Sequence, residues 1–331
     1  MRFYLLGLAV ALIQTVPLTN TTVAAPFPAA PRETASDGLK AILAPDARLE
    51  KIVDGCNFTE GPVWLRDKGI LIFSDIPEST LYRYLPATGT KEVFRRPSFK
   101  TNGNTLDREN RLISCEHESR RVSRTALDGT VTTLAERFEN KRLNSPNDVV
   151  VKSDGAIYFT DPPYGIKKEQ EELGFQAVYR IDPKTGALSA PVRDFKRPNG
   201  LAFSPDEKRL YVNDMGAHHI RVFDVQKDGT LSNSRLFAAV ELPGQPKWSG
   251  TDGMKVDTKG NIYCTSYGGV WVFAANGTRL GIIETLGKNG SPGIPSNVAF
   301  GEKDAKTLYI TQNEAVYRIR LQNVGIRPGP R

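Results

Sequence analysis

Six polar side chains that carry oxygen atoms open six copies of one repeated phrase. The copies begin EGPVWLRD, NGNTLDRE, NDVVVKSD, NGLAFSPD, DGMKVDTK and NVAFGEKD, and their first residues are Glu60, Asn102, Asn147, Asn199, Asp252 and Asn297. Two carboxylates and four amides, with no histidine or cysteine among them, are the hard ligands that Ca²⁺ prefers. If the six positions meet in space, they predict a cation site. Asn or Asp before Gly is also an ordinary turn former, so turn chemistry is the alternative for each copy.

The spacing of the copies indicates the fold that would bring them together. In each copy a second apolar stretch ends on a small polar residue, and the six are Ser74, Ser114, Thr160, Asn213, Thr265 and Thr311. The intervals between them are 40, 46, 53, 52 and 46 residues, the period of four-stranded propeller blades. The last copy has only AVYRIRL (315–321) after it, while RLEKIVDG (48–55) has no copy of its own.

We therefore predict an all-β, six-bladed β-propeller in one domain, residues 48–321, with the last blade closed by the N-terminal strand. Two stacked β-sandwiches would explain the number of strands but not the recurrence. In a propeller the first strand of each blade lines the central channel, so the six oxygen-bearing residues form a ring around the axis. Residues 322–331 are expected to be a C-terminal tail.

The residues that follow the second strands are predicted to form the wall of a pocket around this ring. They include Glu116 and His117 in the second copy, and Asp161 and Tyr164 in the third. We interpret them, with Asn102 and Asn297, as substrate-binding residues. His117 fits a proton shuttle, a hydroxyl ligand or a packing residue equally well. The charged loop 162–176 is either a lid or a solvated insertion.

Composition and the N-terminus restrict the partners and the compartment. The 331 residues carry a net charge of +7 with basic and acidic residues intermixed, which argues against a nucleic-acid partner. Residues 1–25 have the outline of a secretory signal peptide, with an uncleaved anchor as the alternative, and 26–47 are expected to be flexible. We predict a secreted or periplasmic protein without stable membrane insertion. Cys56, Cys115 and Cys264 are interpreted as structural thiols without a disulfide framework.

Several stretches together resemble a known family. CNFTEGPVW, NSPNDVVVKSDGAIYFTDPPYG, RPNGLAFSPDEKRLYVND and TDGMKVDTKGNIYCT resemble bacterial-type gluconolactonases of the gluconolactonase/regucalcin (SMP-30) family, over about residues 48–320. The resemblance implies a propeller with one divalent cation on its axis, held by Glu60, Asn147, Asn199 and Asp252. It also implies that Asp252 is the catalytic acid/base. Ca²⁺ is favoured, and Zn²⁺, Mg²⁺ and Mn²⁺ remain open.

One departure from the family concerns substrate contacts. Regucalcin-like members have an arginine two residues before the asparagine of the third blade, whereas this chain has Ser145 there and Arg142 nearby. We expect metal-dependent hydrolysis of a gluconolactone-like sugar lactone, because the expected pocket wall is polar. The alternatives are a non-catalytic propeller that binds calcium or a sugar acid, and a hydrolase of other lactones or esters. The sequence leaves the particular lactone and the oligomeric state open.

Overall fold

The computed structural model describes residues 36–242, 245–246 and 249–330. The described chain begins with helix α1 (Asp37–Lys40) and strand β1 (Glu50–Val53). β1 and the strands after it form six four-stranded antiparallel sheets, arranged as a six-bladed β-propeller. The predicted signal peptide, residues 1–25, lies outside the described residues. In the described part of the chain, no helix combines the length and apolar character that spanning a membrane requires.

The strands of the first three blades are consecutive along the chain. Blade one consists of β2 (Thr59–Leu65), β3 (Ile70–Asp75), β4 (Thr80–Leu85) and β5 (Thr90–Arg95). Blade two consists of β6 (Thr101–Leu106), β7 (Leu112–Glu116), β8 (Arg121–Thr125) and β9 (Val131–Ala135). A small hairpin of β10 (Arg137–Phe138) and β11 (Lys141–Arg142) precedes blade three. Blade three consists of β12 (Val149–Val151), β13 (Ile157–Thr160), β14 (Val178–Ile181) and β15 (Leu188–Val192).

The last blade takes its fourth strand from the N-terminal end of the described chain. Blade four consists of β16 (Pro198–Phe203), β17 (Arg209–Asp214), β18 (His219–Val225) and β19 (Leu231–Ala239). Blade five consists of β20 (Met254–Val256), β21 (Ile262–Ser266), β22 (Gly269–Phe273) and β23 (Arg279–Glu284). Blade six consists of β24 (Asn297–Gly301), β25 (Thr307–Gln312), β26 (Ala315–Arg320) and β1, which pairs antiparallel to β26. The predicted closure of the propeller by the N-terminal strand is confirmed.

The hydrophobic core lies between the blades. In β3 the consecutive residues Leu71, Ile72 and Phe73 are all fully buried, because each face of a blade packs against a neighbour. Leu71 and Phe73 pack toward blade six, where Trp64 stacks on Tyr309 with 5.6 Å between ring centroids. Ile72 packs in the cluster shared with blade two. Each such side chain contributes about 2 kcal/mol on burial, so the packing of blade against blade holds the ring together.

Local side-chain bonds set the turns within the blades. In the two DGT turns, Asp128 and Asp228 each accept the backbone N–H of a threonine two residues on, Thr130 and Thr230, at 2.9 Å. This is the aspartate-turn geometry expected of such sequences. The three cysteines are buried and unpaired, as predicted.

Residues 36–47 differ from the expected flexible segment. Ser36 caps α1 by accepting the N–H of Leu39 at 3.3 Å. Leu39 and Ile42 are 2% and 4% exposed and join the core cluster between blades five and six. The segment is ordered because these two apolar side chains cover a surface that the blades leave open. The C-terminal tail also packs on the propeller, with the N–H of Ile326 bonded to the carbonyl of Val256 at 3.1 Å.

Candidate active site

The first strands of the six blades contact one another in a closed circle around the axis. Four of the six predicted ring residues lie within these strands, and the other two lie just before them: Glu60, Asn102, Asn199 and Asn297 in the strands, Asn147 and Asp252 at their entrances. Five of the six side chains are at most 6% exposed, and Asp252 is half-buried. The ring is therefore buried rather than displayed on surface turns.

The glycine that follows a ring residue is explained by close approach between blades. A Cβ atom on Gly61 would overlap the carbonyl oxygen of Asn102, and one on Gly200 would overlap the carbonyl oxygen of Asp252. In both cases the obstructing atom belongs to the ring residue of the next blade. Gly61 also has a positive φ of 51°, which favours glycine. Close packing around the axis, and not turn formation alone, accounts for glycine at these two positions.

Three buried aspartates position the chain as it enters the ring. Asp75, Asp161 and Asp214 end the second strands of blades one, three and four or directly follow them. Asp75 accepts the N–H groups of Asn57 and Phe58, Asp161 those of Asn144 and Ser145, and Asp214 those of Lys196 and Arg197, at 2.7–3.2 Å. The donors always lie three and two residues before a ring residue, namely Glu60, Asn147 or Asn199. We call these three side chains the aspartate clamps.

A second set of bonds fixes the ring backbone from the neighbouring blade. Ser74 and Thr160 donate their hydroxyls to the carbonyls of Asn102 and Asn199, each at 2.7 Å. The Asn213 amide donates in the same way to the carbonyl of Asp252. The small polar residues at the ends of the second strands therefore tie each blade to the ring residue of the next.

Three ring amides present oxygen atoms that the protein does not satisfy. Oδ1 of Asn102, of Asn147 and of Asn199 is buried and has no hydrogen-bond partner among the described residues. Two of these amides use their nitrogen instead. Nδ2 of Asn199 donates to the Tyr164 hydroxyl at 3.3 Å, and Nδ2 of Asn102 lies 3.3 Å from Nε2 of His117. Burying a polar atom without a partner lowers the stability of the folded protein. Three such oxygens in one ring therefore indicate a site for a ligand that they could bind.

The two ring carboxylates interact unfavourably with each other. Burial, followed by the charge of Asp148, raises the pKa of Glu60 to about 7. Burial, followed by the charge of Glu60, raises the pKa of Asp252 well above its usual range. Oε2 of Glu60 accepts Nδ2 of Asn297 at 3.0 Å and the N–H of Gly61, but these bonds offset only part of the effect. A cation between the carboxylates would remove their repulsion.

These oxygens fit a hard divalent cation better than a metal that prefers nitrogen or sulfur. Among residues 36–330, apart from those left undescribed, no three or more His, Cys, Asp or Glu side chains are grouped to hold a metal. The ring instead combines two carboxylates with amide oxygens, a donor set that Ca²⁺ accepts and a zinc site does not normally use. The residues present thus fit the expected divalent cation.

His117 and Tyr164 are the pocket-wall candidates that reach the ring. His117 is 6% exposed, and burial followed by the charge of Lys100 lowers its pKa to about 4, so the imidazole is neutral at neutral pH. Tyr164 belongs to the loop 162–176 and contacts Asn199. The next residue, Gly165, donates its N–H to Ser145 Oγ at 3.0 Å. The start of this loop therefore lies against the ring, while Lys167–Glu169 are exposed.

Glu116 and Asp161 are not brought to the ring in the same way. Glu116 is fully buried and accepts Nε of Arg121 and Oγ of Ser123, both at 2.6 Å. Asp161 is one of the aspartate clamps, and burial raises its pKa to about 7 although two N–H bonds oppose the shift. Both carboxylates are engaged in the scaffold, and their assignment to substrate binding stays a prediction.

The reasoning from sequence missed two charged residues near the axis and the clamps. Asp148 directly follows Asn147 and is 1% exposed. Lys255 lies in β20, three residues after Asp252, with its ammonium 3.7 Å from Oδ2 of Asp148. The clamps had a signal in the pairs Ser74-Asp75, Thr160-Asp161 and Asn213-Asp214, where an aspartate follows the small polar residue. Nothing in the sequence indicates the contact between Asp148 and Lys255.

Comparisons with known proteins agree with this architecture. Residues 58–314 match the family model described as "SMP-30/Gluconolactonase/LRE-like region". A gluconolactonase of Zymomonas mobilis is 32% identical over 88% of this chain and 86% of its own length. A pentonolactonase of Haloferax volcanii is 28% identical over 80% of this chain and 84% of its own. A solved gluconolactonase structure from Xanthomonas campestris is 36% identical and covers 90% of this chain and 99% of its own, with a TM-score of 0.77.

The family match begins just before β2 and ends just after β25, so it includes all six ring positions. The relatives align over most of both chains and therefore share the whole propeller rather than one blade. This chain belongs to the SMP-30/gluconolactonase family.

Proposed function

We propose that this protein is a metal-dependent lactonase that hydrolyses a gluconolactone-like sugar lactone to its aldonic acid. The observation that carries the proposal is the ring, where two carboxylates of raised pKa and three unsatisfied amide oxygens face one axis. Two relatives named gluconolactonase and one named pentonolactonase support the same substrate class. Polar side chains around the ring suit a hydroxylated substrate better than an acyl chain.

The residues that would hold the cation are Glu60, Asn147, Asn199 and Asp252. Four protein oxygens leave part of a six- to eight-ligand Ca²⁺ shell for water and substrate. When bound, the ion supplies Lewis-acid polarisation of the lactone carbonyl. The hydrogen bond from Asn199 Nδ2 to Tyr164 leaves the Asn199 oxygen free for this purpose. Ca²⁺ is the cation that the donor set favours.

Asp252 is the group we assign to proton transfer. Its side chain is half-buried, unlike the other ring members, and burial together with the charge of Glu60 raises its pKa well above the usual range of an aspartate. A general base works best with a pKa near the working pH. Asp252 accepts a proton from the water whose oxygen bonds to the carbonyl carbon. It returns that proton to the ring oxygen as the carbon–oxygen bond of the lactone breaks, which leaves a hydroxy acid.

The remaining ring residues bind substrate or position the ligands. The unsatisfied oxygen of Asn102 and the neutral His117 beside it are suited to substrate hydroxyls. Asn297 uses both ends of its amide, since Nδ2 donates to Glu60 at 3.0 Å and Oδ1 accepts the N–H of Val298 at 2.8 Å. We therefore assign Asn297 to holding Glu60 in place rather than to substrate contact.

The experiment is lactone hydrolysis with a panel of aldonolactones and acyl lactones, with and without chelator. We expect aldonolactone hydrolysis that is lost in EDTA, recovered with Ca²⁺, and reduced at least about 100-fold by Asp252→Asn, the low end of a general acid–base contribution. Asp228→Asn, in an exposed hairpin turn, is the matched control and should retain full activity. Hydrolysis that neither chelation nor Asp252→Asn alters would refute the proposal. Hydrolysis confined to acyl lactones would change the substrate class.

We also propose that the protein is exported, on the basis of the leader-like residues 1–25. Fractionation of cells that produce the full chain should find a shortened protein outside the cytoplasm. Full-length protein confined to the cytoplasm would contradict this assignment.

A further inference from the structure

Lys255 places a positive charge inside the channel, below the ring. Its side chain is 16% exposed and lines a cavity of about 90 Å³ that the C-terminal residues Ile326, Arg327 and Pro328 help to enclose. The ammonium donates to the carbonyl of Met254 at 3.0 Å. Lys255 therefore lies between the ring and the C-terminal tail, where a lysine has little access to water.

The ammonium is linked to the ring through one amide. Nζ of Lys255 lies 3.5 Å from Oδ1 of Asn297, whose Nδ2 donates to Glu60 at 3.0 Å. A lysine has only donors, so it requires the oxygen of Asn297 on its own side and turns the NH₂ group toward Glu60. Lys255 thus favours the amide orientation that supports the carboxylate.

Asp148 is the other partner of Lys255. It is 1% exposed, and its Oδ1 accepts the N–H of Val149 at 2.9 Å. Its Oδ2 has no hydrogen-bond partner among the described residues and lies 3.7 Å from the Lys255 ammonium. Asp148 is close enough to the axis for its charge to act on both Glu60 and Asp252. Glu60, Asp148 and Asp252 are therefore three acidic side chains that interact at the ring, and Lys255 is the basic side chain in contact with this group. Arg108, Glu207 and Arg327 also line the cavity beside Lys255.

We propose that Lys255 is a built-in countercharge that matches the channel to a single divalent cation and keeps the affinity for that cation moderate. When ionised, Glu60, Asp148 and Asp252 carry three negative charges, and Lys255 cancels one of them. The remainder equals the charge of one divalent ion. Without Lys255 the channel would attract cations more strongly and would be less stable when empty. This inference rests on the proposed metal site, and Lys255 acts on it as a positioning residue through Asn297 and Asp148.

The test is a charge cycle of four proteins: wild type, Lys255→Met, Asp148→Asn and the double variant. Methionine keeps most of the length of lysine, and asparagine can still accept the Val149 N–H. Ca²⁺ affinity is measured by calorimetry on chelator-stripped full chains, and thermal unfolding is followed in EDTA. Lys184→Met, an exposed lysine in a turn, controls for the loss of one positive charge elsewhere.

We expect Lys255→Met to bind Ca²⁺ at least about tenfold more tightly than wild type and Asp148→Asn to bind at least about tenfold more weakly, since buried charges a few ångströms apart interact this strongly. The double variant should return to within about threefold of wild type, because its net charge is restored. In EDTA, Lys255→Met should melt at a lower temperature than wild type. Lys184→Met should match wild type throughout.

A purely structural contact would give a different result, in which both single variants weaken Ca²⁺ binding or neither changes it. Either outcome overturns the inference. If Lys255→Met does not fold, Asp148→Asn alone decides, and an affinity equal to or above that of wild type overturns it. If the wild-type protein binds no divalent cation, the proposed metal site fails first and this inference falls with it.

Discussion

Replacing Glu60 by glutamine tests whether the charged ring that would bind a cation lowers the stability of the metal-free protein. Both donors to Glu60, the N–H of Gly61 and Nδ2 of Asn297, reach the same carboxylate oxygen, Oε2. A glutamine oxygen can take that position and keep both bonds. The substitution therefore removes the buried charge with little change in shape, and it also removes an anionic ligand.

The magnitude follows from the pKa of Glu60, which is about 7 in the folded protein against an ordinary 4.5. Below pH 4.5 the side chain is protonated in both states. Between pH 4.5 and about 7 the unfolded chain has released this proton, whereas the folded protein still holds it in the buried site. The free energy of unfolding of the metal-free protein then falls by about 3 kcal/mol, at about 1.4 kcal/mol per pH unit. Glutamine does not titrate and avoids this loss.

The assay is urea unfolding in EDTA at pH 4.5 and pH 8, followed by circular dichroism. Relative to wild type, Glu60→Gln should gain about 3 kcal/mol of stability between the two pH values. With Ca²⁺ at 100 times its Kd, the free energy of unfolding of the wild type should rise by about 2.7 kcal/mol and that of the variant should change little.

Glu116→Gln is the matched control, because Glu116 is equally buried but paired with Arg121. It should lose about 3 kcal/mol at pH 8. A Glu60→Gln protein that is equally destabilised at both pH values would refute the reasoning.

Three further predictions concern the aspartate clamps, the pH dependence of Ca²⁺ binding and the role of His117. Asp161→Ala removes the acceptor of two buried N–H groups before Asn147, so urea unfolding should show a loss of about 2–4 kcal/mol, and calorimetry a weaker Ca²⁺ site; an unchanged Ca²⁺ affinity would contradict the positioning role. Ca²⁺ affinity of the wild type should rise at least about tenfold per pH unit up to about pH 7, because Glu60 must lose a proton to bind and the pKa of the second carboxylate ligand, Asp252, is raised as well; a flat profile would argue against Glu60 as a ligand. His117 is neutral above about pH 4, so His117→Gln should change KM without moving the acidic limb of the pH–rate profile, and a displaced limb would show that the imidazole titrates during turnover.

The propeller was predictable because its signal is repeated. Six copies of one phrase at a near-constant interval specify six similar sheets. The strand 48–55, which belongs to no copy, and the missing fourth strand of the last copy indicate how the circle closes. Residues 36–47 carry no repeat, so the packing of Leu39 and Ile42 against blades five and six had no signal of this kind. Only the tertiary structure reveals the open surface that they cover.

The six ring positions were predictable because they repeat in every blade. The charged pair Asp148 and Lys255 beside the ring was not predictable, because it does not repeat. Symmetry brings together residues at equivalent positions, so Glu60 and Asp252 could be assigned to one axis from the sequence. The contact between Asp148 and Lys255 joins blades three and five at positions that are not equivalent, since one directly follows a ring position and the other is three residues beyond it. A repeat predicts what the blades share, whereas the charges that distinguish one blade from another depend on three-dimensional proximity.

The repeated phrase also links the geometry of the ring to its chemistry. Gly61 and Gly200 allow the backbone of one blade to approach the carbonyl of the next ring residue, and hydroxyls from the second strands bind carbonyls of the same kind. These contacts act on the backbone, so they fix the spacing of the ring whatever side chain it carries. The backbone contacts therefore hold buried carboxylates close enough to repel each other, as the raised pKa values of Glu60 and Asp252 indicate. The contacts between the blades offset the repulsion of these carboxylates in the empty protein, and a bound cation would stabilise the folded protein further by neutralising their charge.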